Sequence, residues 1–198
     1  MQKRSAETQE HILLAAQTLF ARSGYDGTGV AEICQAAGVS KGAFYHHFPS
    51  KHAVFMRLLE DWLAGLDAEI QRIYGLASDV PQGLLDLGGI AAEIFQAADQ
   101  RLPIFLEFWA QASRDPEVWK ATIAPYRRYQ ELFAGIMQVG ISQGSLRPID
   151  PDLGGRVILA LALGLLLQGL IDPQAAVWGK AGREMMSILL YGLERKTK

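Results

Sequence analysis

Between Gly24 and Lys51 the chain spells two short helices around a glycine turn, and no other stretch of its 198 residues restricts the fold as tightly. Thr28-Gly29 punctuates the start of an apolar rhythm in which Val30, Ile33, Cys34 and Ala37 fall on one helical face. Gly38 stands where a helix stop needs a left-handed residue, a conformation glycine adopts without steric penalty. Ser40 then offers a hydroxyl to the free amides of a second helix, whose stripe of Ala43, Phe44 and Phe48 runs to Pro49. Two short helices about such a turn make a helix-turn-helix, in which the second helix enters the major groove and the first crosses the backbone. The outward positions of the second helix are Lys41, Gly42, Tyr45, His46 and His47. These residue types bond to phosphates and base edges, and the glycine lets the backbone come close.

The wider stretch from residue 10 to 55 resembles the N-terminal domain of the TetR family of transcriptional regulators. The likeness rests on Ile12, Ala15-Ala16, Leu19-Phe20 and Gly24-Tyr25, and on the unbroken run from Ala36 through Gly38-Val39-Ser40-Lys41-Gly42-Ala43-Phe44-Tyr45-His46-His47-Phe48-Pro49-Ser50 to Lys51. By that resemblance Lys41 and Gly42 read bases, and Tyr45, His46 and His47 contact bases or phosphates. Thr28 and Ser40 join the DNA-facing set, and Lys51 grips a phosphate from the start of the next helix. The family usually places a second hydroxyl residue where Gly29 stands.

Lys51 has an argument of its own. Ser50 reads as an N-cap, which puts Lys51 in the first turn of a helix, where the macrodipole favours anions over cations. An incoming phosphate reverses that sign, because free amides and a lysine together make an anion site.

Composition narrows the remaining possibilities. Hydrophobic residues make up 49 % and charged residues 20 %, which is globular and excludes disorder or fibrous repeats. A formal net charge of −2 excludes a chain that coats nucleic acid without specificity, since a regulator depends on local charge at its contact face. The single cysteine, Cys34, precludes an internal disulfide and fits a reducing cytoplasm; on an apolar helical face it reads as a packed small hydrophobe. The basic start, Met1 to Ser5, lacks the apolar core of a signal peptide. The longest uncharged run, 157–171, is short for a bilayer span and reads as a buried helix.

Beyond the head, Val80-Pro81, Asp115-Pro116, Asp150-Pro151 and Asp172-Pro173 each place a turn former before a proline at a helix start. The apolar spacing between these marks is helical, so the expected fold is all-α with about nine helices, near 5–23, 28–37, 40–47, 50–75, 80–98, 101–113, 116–143, 151–170 and 173–195. Pro125 is expected to kink or divide the seventh. The expected domains are 1–49, a three-helix DNA-binding domain with the helix-turn-helix, and 50–198, a larger helical effector-binding and dimerisation domain.

The last two helices point to a second copy of the chain. Residues 157–167 are apolar on every side and require cover all round. Ala160 and Gly164 would allow close backbone approach, and Trp178, Gly182, Met185, Met186, Leu189 and Leu193 form a stripe on the final helix. Symmetric dimers reading paired half-sites are the rule for helix-turn-helix proteins.

Enzyme chemistry has one apparent foothold. Gly38-Val39-Ser40-Lys41-Gly42 matches the nucleophile elbow of hydrolases, but that elbow needs a strand before the serine and this one follows a helix. The histidines are His11, His46, His47 and His52, and no metal-binding or phosphate-loop motif accompanies them, so no cofactor or metal is expected.

In the second domain Trp62, Phe105, Phe108, Trp109 and Tyr126 supply apolar walls, and Glu107, Gln111 and Gln168 supply orienting polar groups, the composition of a ligand cavity. TetR-like proteins generally bind a small effector in the C-terminal domain and release their operator when it binds. The expectation is a cytoplasmic, homodimeric, ligand-responsive repressor with a near-palindromic double-stranded operator and a small, mostly apolar effector. The alternative is an architectural or adaptor protein that binds DNA without an effector.

Overall fold

Polar side chains at the helix starts take up amides that the helices leave free, and this fixes most of the boundaries. Ser40 Oγ accepts from Ala43 N at 3.1 Å and Ser50 Oγ from Ala53 N at 3.1 Å. Asp79 Oδ1 accepts from Gln82 N at 2.8 Å, Asp115 Oδ1 from Glu117 N at 2.8 Å, and Asp150 Oδ1 from Asp152 N at 3.0 Å. Gly38 closes its helix at φ 65°, the left-handed stop the sequence required. The computed structural model describes residues 2–98, 102–172 and 174–193 and is all-α. Its nine helices, among the described residues, are α1 (Gln2–Ser23), α2 (Val30–Ala37), α3 (Lys41–His47), α4 (Lys51–Leu76), α5 (Val80–Ala98), α6 (Leu102–Ala112), α7 (Pro116–Ser142), α8 (Pro151–Ile171) and α9 (Trp178–Leu193).

One helix mark misleads, and at Pro125 the helix is not divided. Asp172 Oδ1 accepts from Gln174 N at 3.2 Å and makes a turn, so α9 starts at Trp178; Pro173 itself lies outside the described residues. Pro125 sits inside α7, which runs continuously across it. The ring removes one donor from the ladder, and that loss alone does not end a helix of 27 residues.

The chain divides into two compact units, Met1–Gly65 with Asp99–Thr122, and Leu66–Ala98 with Ile123–Lys198. In the first unit α1 packs on α2, α3 and α6 around Ile12, Phe20, Ile33, Phe44, Phe55 and Phe108, all essentially inaccessible to solvent. Phe55 meets Phe20 edge-on at 5.6 Å and Phe108 at 4.6 Å between ring centres. Each such ring contributes about 1.5–3 kcal/mol by leaving water.

In the second unit α5 lies along α9, and the two touch backbone to backbone. A Cβ added to Gly182 would stand 2.2 Å from the Gly88 carbonyl oxygen, so only glycine allows this crossing. Asp67 on α4 binds two groups of α7, accepting from Arg128 Nη2 at 2.6 Å and from the Tyr129 hydroxyl at 2.6 Å. Burial first, then the Asp67 carboxylate, hold the Tyr129 hydroxyl well above its usual pKa.

α8 is long and apolar enough to cross a membrane by length and composition alone, yet it packs against α5 and α9 with one side buried. The buried side carries Gly154, Gly155, Ile158, Leu159, Leu165, Leu166 and Gly169. The opposite side leaves Leu153, Val157, Leu167 and Ile171 exposed, so within one chain this helix is covered on one side, not all round. On α9 the expected stripe divides as well. Gly182 and Met186 are buried and Trp178, Met185 and Leu189 half-buried, while the side chain of Leu193 lies outside the described residues; Ile188 and Tyr191, off the stripe, are exposed.

Candidate nucleic-acid interface

The first unit presents α3, a helix of seven residues, with one side anchored and the other free. Phe44 is fully buried, and Lys41, Gly42, Tyr45 and His46 are exposed; His47 is half-buried. The Tyr45 ring meets Phe44 edge-on at 5.3 Å, which fixes its direction while leaving it 54 % exposed. Ser40 is exposed and caps α3, and its hydroxyl proton stays available to an acceptor.

Thr28 does not join this surface. Its side chain is 2 % exposed, and its hydroxyl donates to the Gly24 carbonyl at 2.8 Å, so it braces the α1–α2 turn from inside. Gly29 behind it gives its amide to Glu32 Oε2 at 2.7 Å, the half of a capping box that needs no side chain at the cap.

Lys51 is committed to the same turn. Its ammonium donates to Tyr25 O at 2.7 Å and to Thr28 O at 2.8 Å, and stands 4.2 Å from the centre of the Tyr25 ring. Two of its three donors are therefore spent on the protein, and one remains for a phosphate. The Tyr25 ring packs on Phe20 at 5.5 Å and Phe55 at 4.6 Å. Burial first, then the Asp115 and Asp26 charges, push its hydroxyl pKa above the usual tyrosine value.

Three residues expected to line an effector cavity belong instead to this unit's interior. Glu107 Oε1 accepts from Tyr25 N at 2.9 Å. Gln111 is 7 % exposed and donates to Glu107 Oε1 at 3.2 Å and Asp26 Oδ2 at 3.4 Å. Phe108 sits at the centre of the aromatic core. Their polar and apolar groups are satisfied within the protein, which removes the reason to assign them to a ligand.

The remaining effector candidates belong to different units. Trp62 packs half-buried against the first unit's core, and Trp109 on α6 is 37 % exposed. Tyr126 is half-buried and Gln168 exposed, both in the second unit. The side chain of Phe105 lies outside the described residues. An open groove on the first unit runs between α1 and α2, lined by His11, Leu14, Thr18, Arg22, Glu32 and Gln35, and includes none of these candidates.

Sequence reasoning missed Tyr25 as the point where α1, α4 and α6 meet. The neighbouring Gly24, at φ 74°, was the available signal, because a left-handed glycine ending α1 marks a turn of fixed shape.

Known proteins align with both parts of the chain. Residues 12–58 match the family described as bacterial regulatory proteins, tetR family, and residues 87–191 match the BetI-type transcriptional repressor C-terminal domain. The HTH-type transcriptional repressor KstR2 of Mycolicibacterium smegmatis is 30 % identical over 156 residues, spanning 77 % of this chain and 75 % of the relative. Among solved structures, a transcriptional regulator from Saccharomonospora viridis in complex with choline superposes with a TM-score of 0.83 at 22 % identity, covering 96 % of this chain and all of the other. The regulator FadR from Bacillus subtilis in complex with stearoyl-CoA does so with a TM-score of 0.80 at 18 % identity, covering 92 % and 98 %. Both of these structural likenesses are of fold. With its helix-turn-helix and BetI-type C-terminal domain, the chain belongs to the TetR family of transcriptional regulators, a family of DNA-binding proteins and not of enzymes.

Proposed function

We propose that this chain is a cytoplasmic repressor that binds a near-palindromic operator as a homodimer and leaves it when a small, mostly apolar effector occupies the C-terminal domain. The observation that carries the reading is α3, where Lys41, Gly42, Tyr45 and His46 are presented together on a helix anchored by a buried phenylalanine. Ser40 and His47 flank this set. Thr28 and Lys51 stand behind it as its frame, with the last donor of Lys51 directed to a phosphate.

The exposed stripe of α8 supports the dimer. Leu153, Val157, Ala160, Gly164, Leu167 and Ile171 follow one another at intervals of four and three, the spacing of a helix seam that wants a partner helix. Related proteins crystallised with choline and with stearoyl-CoA support a small-molecule effector, of which the apolar class fits this chain's aromatic content. Trp62, Trp109, Tyr126 and Gln168 remain the residues to test against it.

The experiment is a selection from random duplexes, followed by an effector screen read by tryptophan fluorescence and operator affinity together. A selected sequence with two half-sites about 34–36 Å apart, or a multiple of that, is the expected product. Linkage requires that an effector and the operator weaken each other by the same factor, with a coupling of about 1–3 kcal/mol. Binding that ignores sequence would favour an architectural role, and ligands that move fluorescence but not operator affinity would refute the effector mechanism.

A further inference from the structure

We propose that Glu107 is a positioning residue for operator binding, acting from α6 through the backbone of Tyr25 on the frame that holds the recognition helix. The proposal rests on the reading that α3 contacts the operator. α3 hangs between two short links, 38–40 from α2 and 48–50 to α4, so its direction is set by where α2 begins and where α4 begins. Those two starts are tied together by one side chain. Lys51, the first residue of α4, holds the carbonyls of Tyr25 and Thr28 at 2.7 and 2.8 Å, and Thr28 stands two residues before α2.

Glu107 holds the other side of the same residue. The Tyr25 amide donates to Glu107 Oε1 at 2.9 Å, so the N–H of Tyr25 is fixed from α6 while its C=O is fixed from α4. Gln111, one turn further along α6, donates to that same oxygen at 3.2 Å and to Asp26 at 3.4 Å, which sets the carboxylate in place and extends the grip to the next residue of the turn. Arg114 adds a looser pairing to Asp26 at 3.8 Å. A carboxylate in a DNA-binding unit repels phosphate, so Glu107 contributes nothing to the electrostatic attraction that draws DNA in. What it supplies is a strong acceptor for an amide whose position governs the frame.

Charge and acceptor can be separated by substitution. Glu107→Gln and Glu107→Ala remove the same negative charge, but only glutamine keeps an oxygen within reach of the Tyr25 amide. Operator affinity of the intact protein, measured on the duplex that the unaltered protein selects, should fall about tenfold for Glu107→Ala and stay within about threefold for Glu107→Gln, the scale of one hydrogen bond to a charged acceptor. The slope of affinity against salt should be the same in all three, because no phosphate contact is lost. Hydrogen exchange at the Tyr25 amide, followed without DNA, should quicken in Glu107→Ala alone.

Equal affinities for Glu107→Ala and Glu107→Gln, or tighter binding by both, would overturn the proposal while leaving the functional reading intact. Failure of the unaltered protein to select any duplex would overturn the functional reading and the proposal with it. Should Glu107→Ala not fold, Glu107→Asp takes its place: it keeps the charge and draws the oxygen back by one methylene. An aspartate variant binding as tightly as the unaltered protein would likewise overturn the assignment.

Discussion

The two compact units finish their surfaces in opposite ways. The first turns its polar groups inward: Thr28, Lys51 and Glu107 bond to its own backbone and Gln111 to the Glu107 carboxylate, and the side chains left outward on α3 are polar ones suited to DNA. The second closes α5 against α9 through bare backbone and leaves a row of apolar side chains on α8 open to solvent. One unit is complete as a folded body and lacks only a polyanion. The other leaves on α8 the apolar row that the proposed second copy would cover.

Two glycines test that contrast most severely. Among the described residues nothing lies within 4 Å of a Cβ placed on Gly164, so there is room there for a larger side chain. Gly164→Glu should therefore leave the fold intact and abolish the dimer, which sedimentation at micromolar concentration would read. An unaltered protein that sediments as a monomer would remove the basis of the comparison. Gly182→Ala attacks the inside of the same unit, where the new methyl meets the Gly88 carbonyl at 2.2 Å. Overpacking of this kind costs about 1–3 kcal/mol, and the denaturant midpoint should fall accordingly.

Smaller effects sharpen the first unit's side of the contrast. Lys41 is exposed and free to meet phosphate, whereas Lys51 has two donors bound to carbonyls. Lys41→Met should lower the salt slope by about 0.9 per phosphate contact, or about twice that in a dimer, while Lys51→Met should weaken binding with a smaller change of slope. Equal slope changes would mean that Lys51 serves DNA as much as it serves the turn. The mildest change is Tyr45→Phe, which keeps the edge-on contact with Phe44 and deletes one hydroxyl. Operator binding should weaken by about 1 kcal/mol, measured by fluorescence titration on a labelled duplex.

Local chemistry explains which parts of this molecule could be read from sequence. Gly38, Ser40 and Pro49 act on neighbours within a turn, so the helix-turn-helix and its outward residues were legible, as were the aspartate starts of α7 and α8. Asp172 obeyed the same rule but capped a turn, because a cap signals a free amide and not the length of the helix that follows. The assignment of Glu107 and Gln111 to a cavity came from polar groups on an apolar helix, and the partner that satisfies Glu107 lies 82 residues earlier in the chain. Thr28 joins the DNA-facing set by resemblance alone, and its burial sets it apart. Its acceptor, the Gly24 carbonyl, is four residues away, but only the left-handed conformation of Gly24 tells where that carbonyl points.

Cys34 gives the molecule a clock. The sequence holds one cysteine, and on the inner face of α2 this residue is 5 % exposed among the residues that pack α1, α2 and α3 together. A thiol reagent reaches it only when α2 lifts away, so the labelling rate counts these openings in the native chain without an introduced probe. Bound operator, by pinning α3 to α2, should slow that clock, and the ratio of the two rates would measure how much rigidity the DNA returns to the protein that reads it.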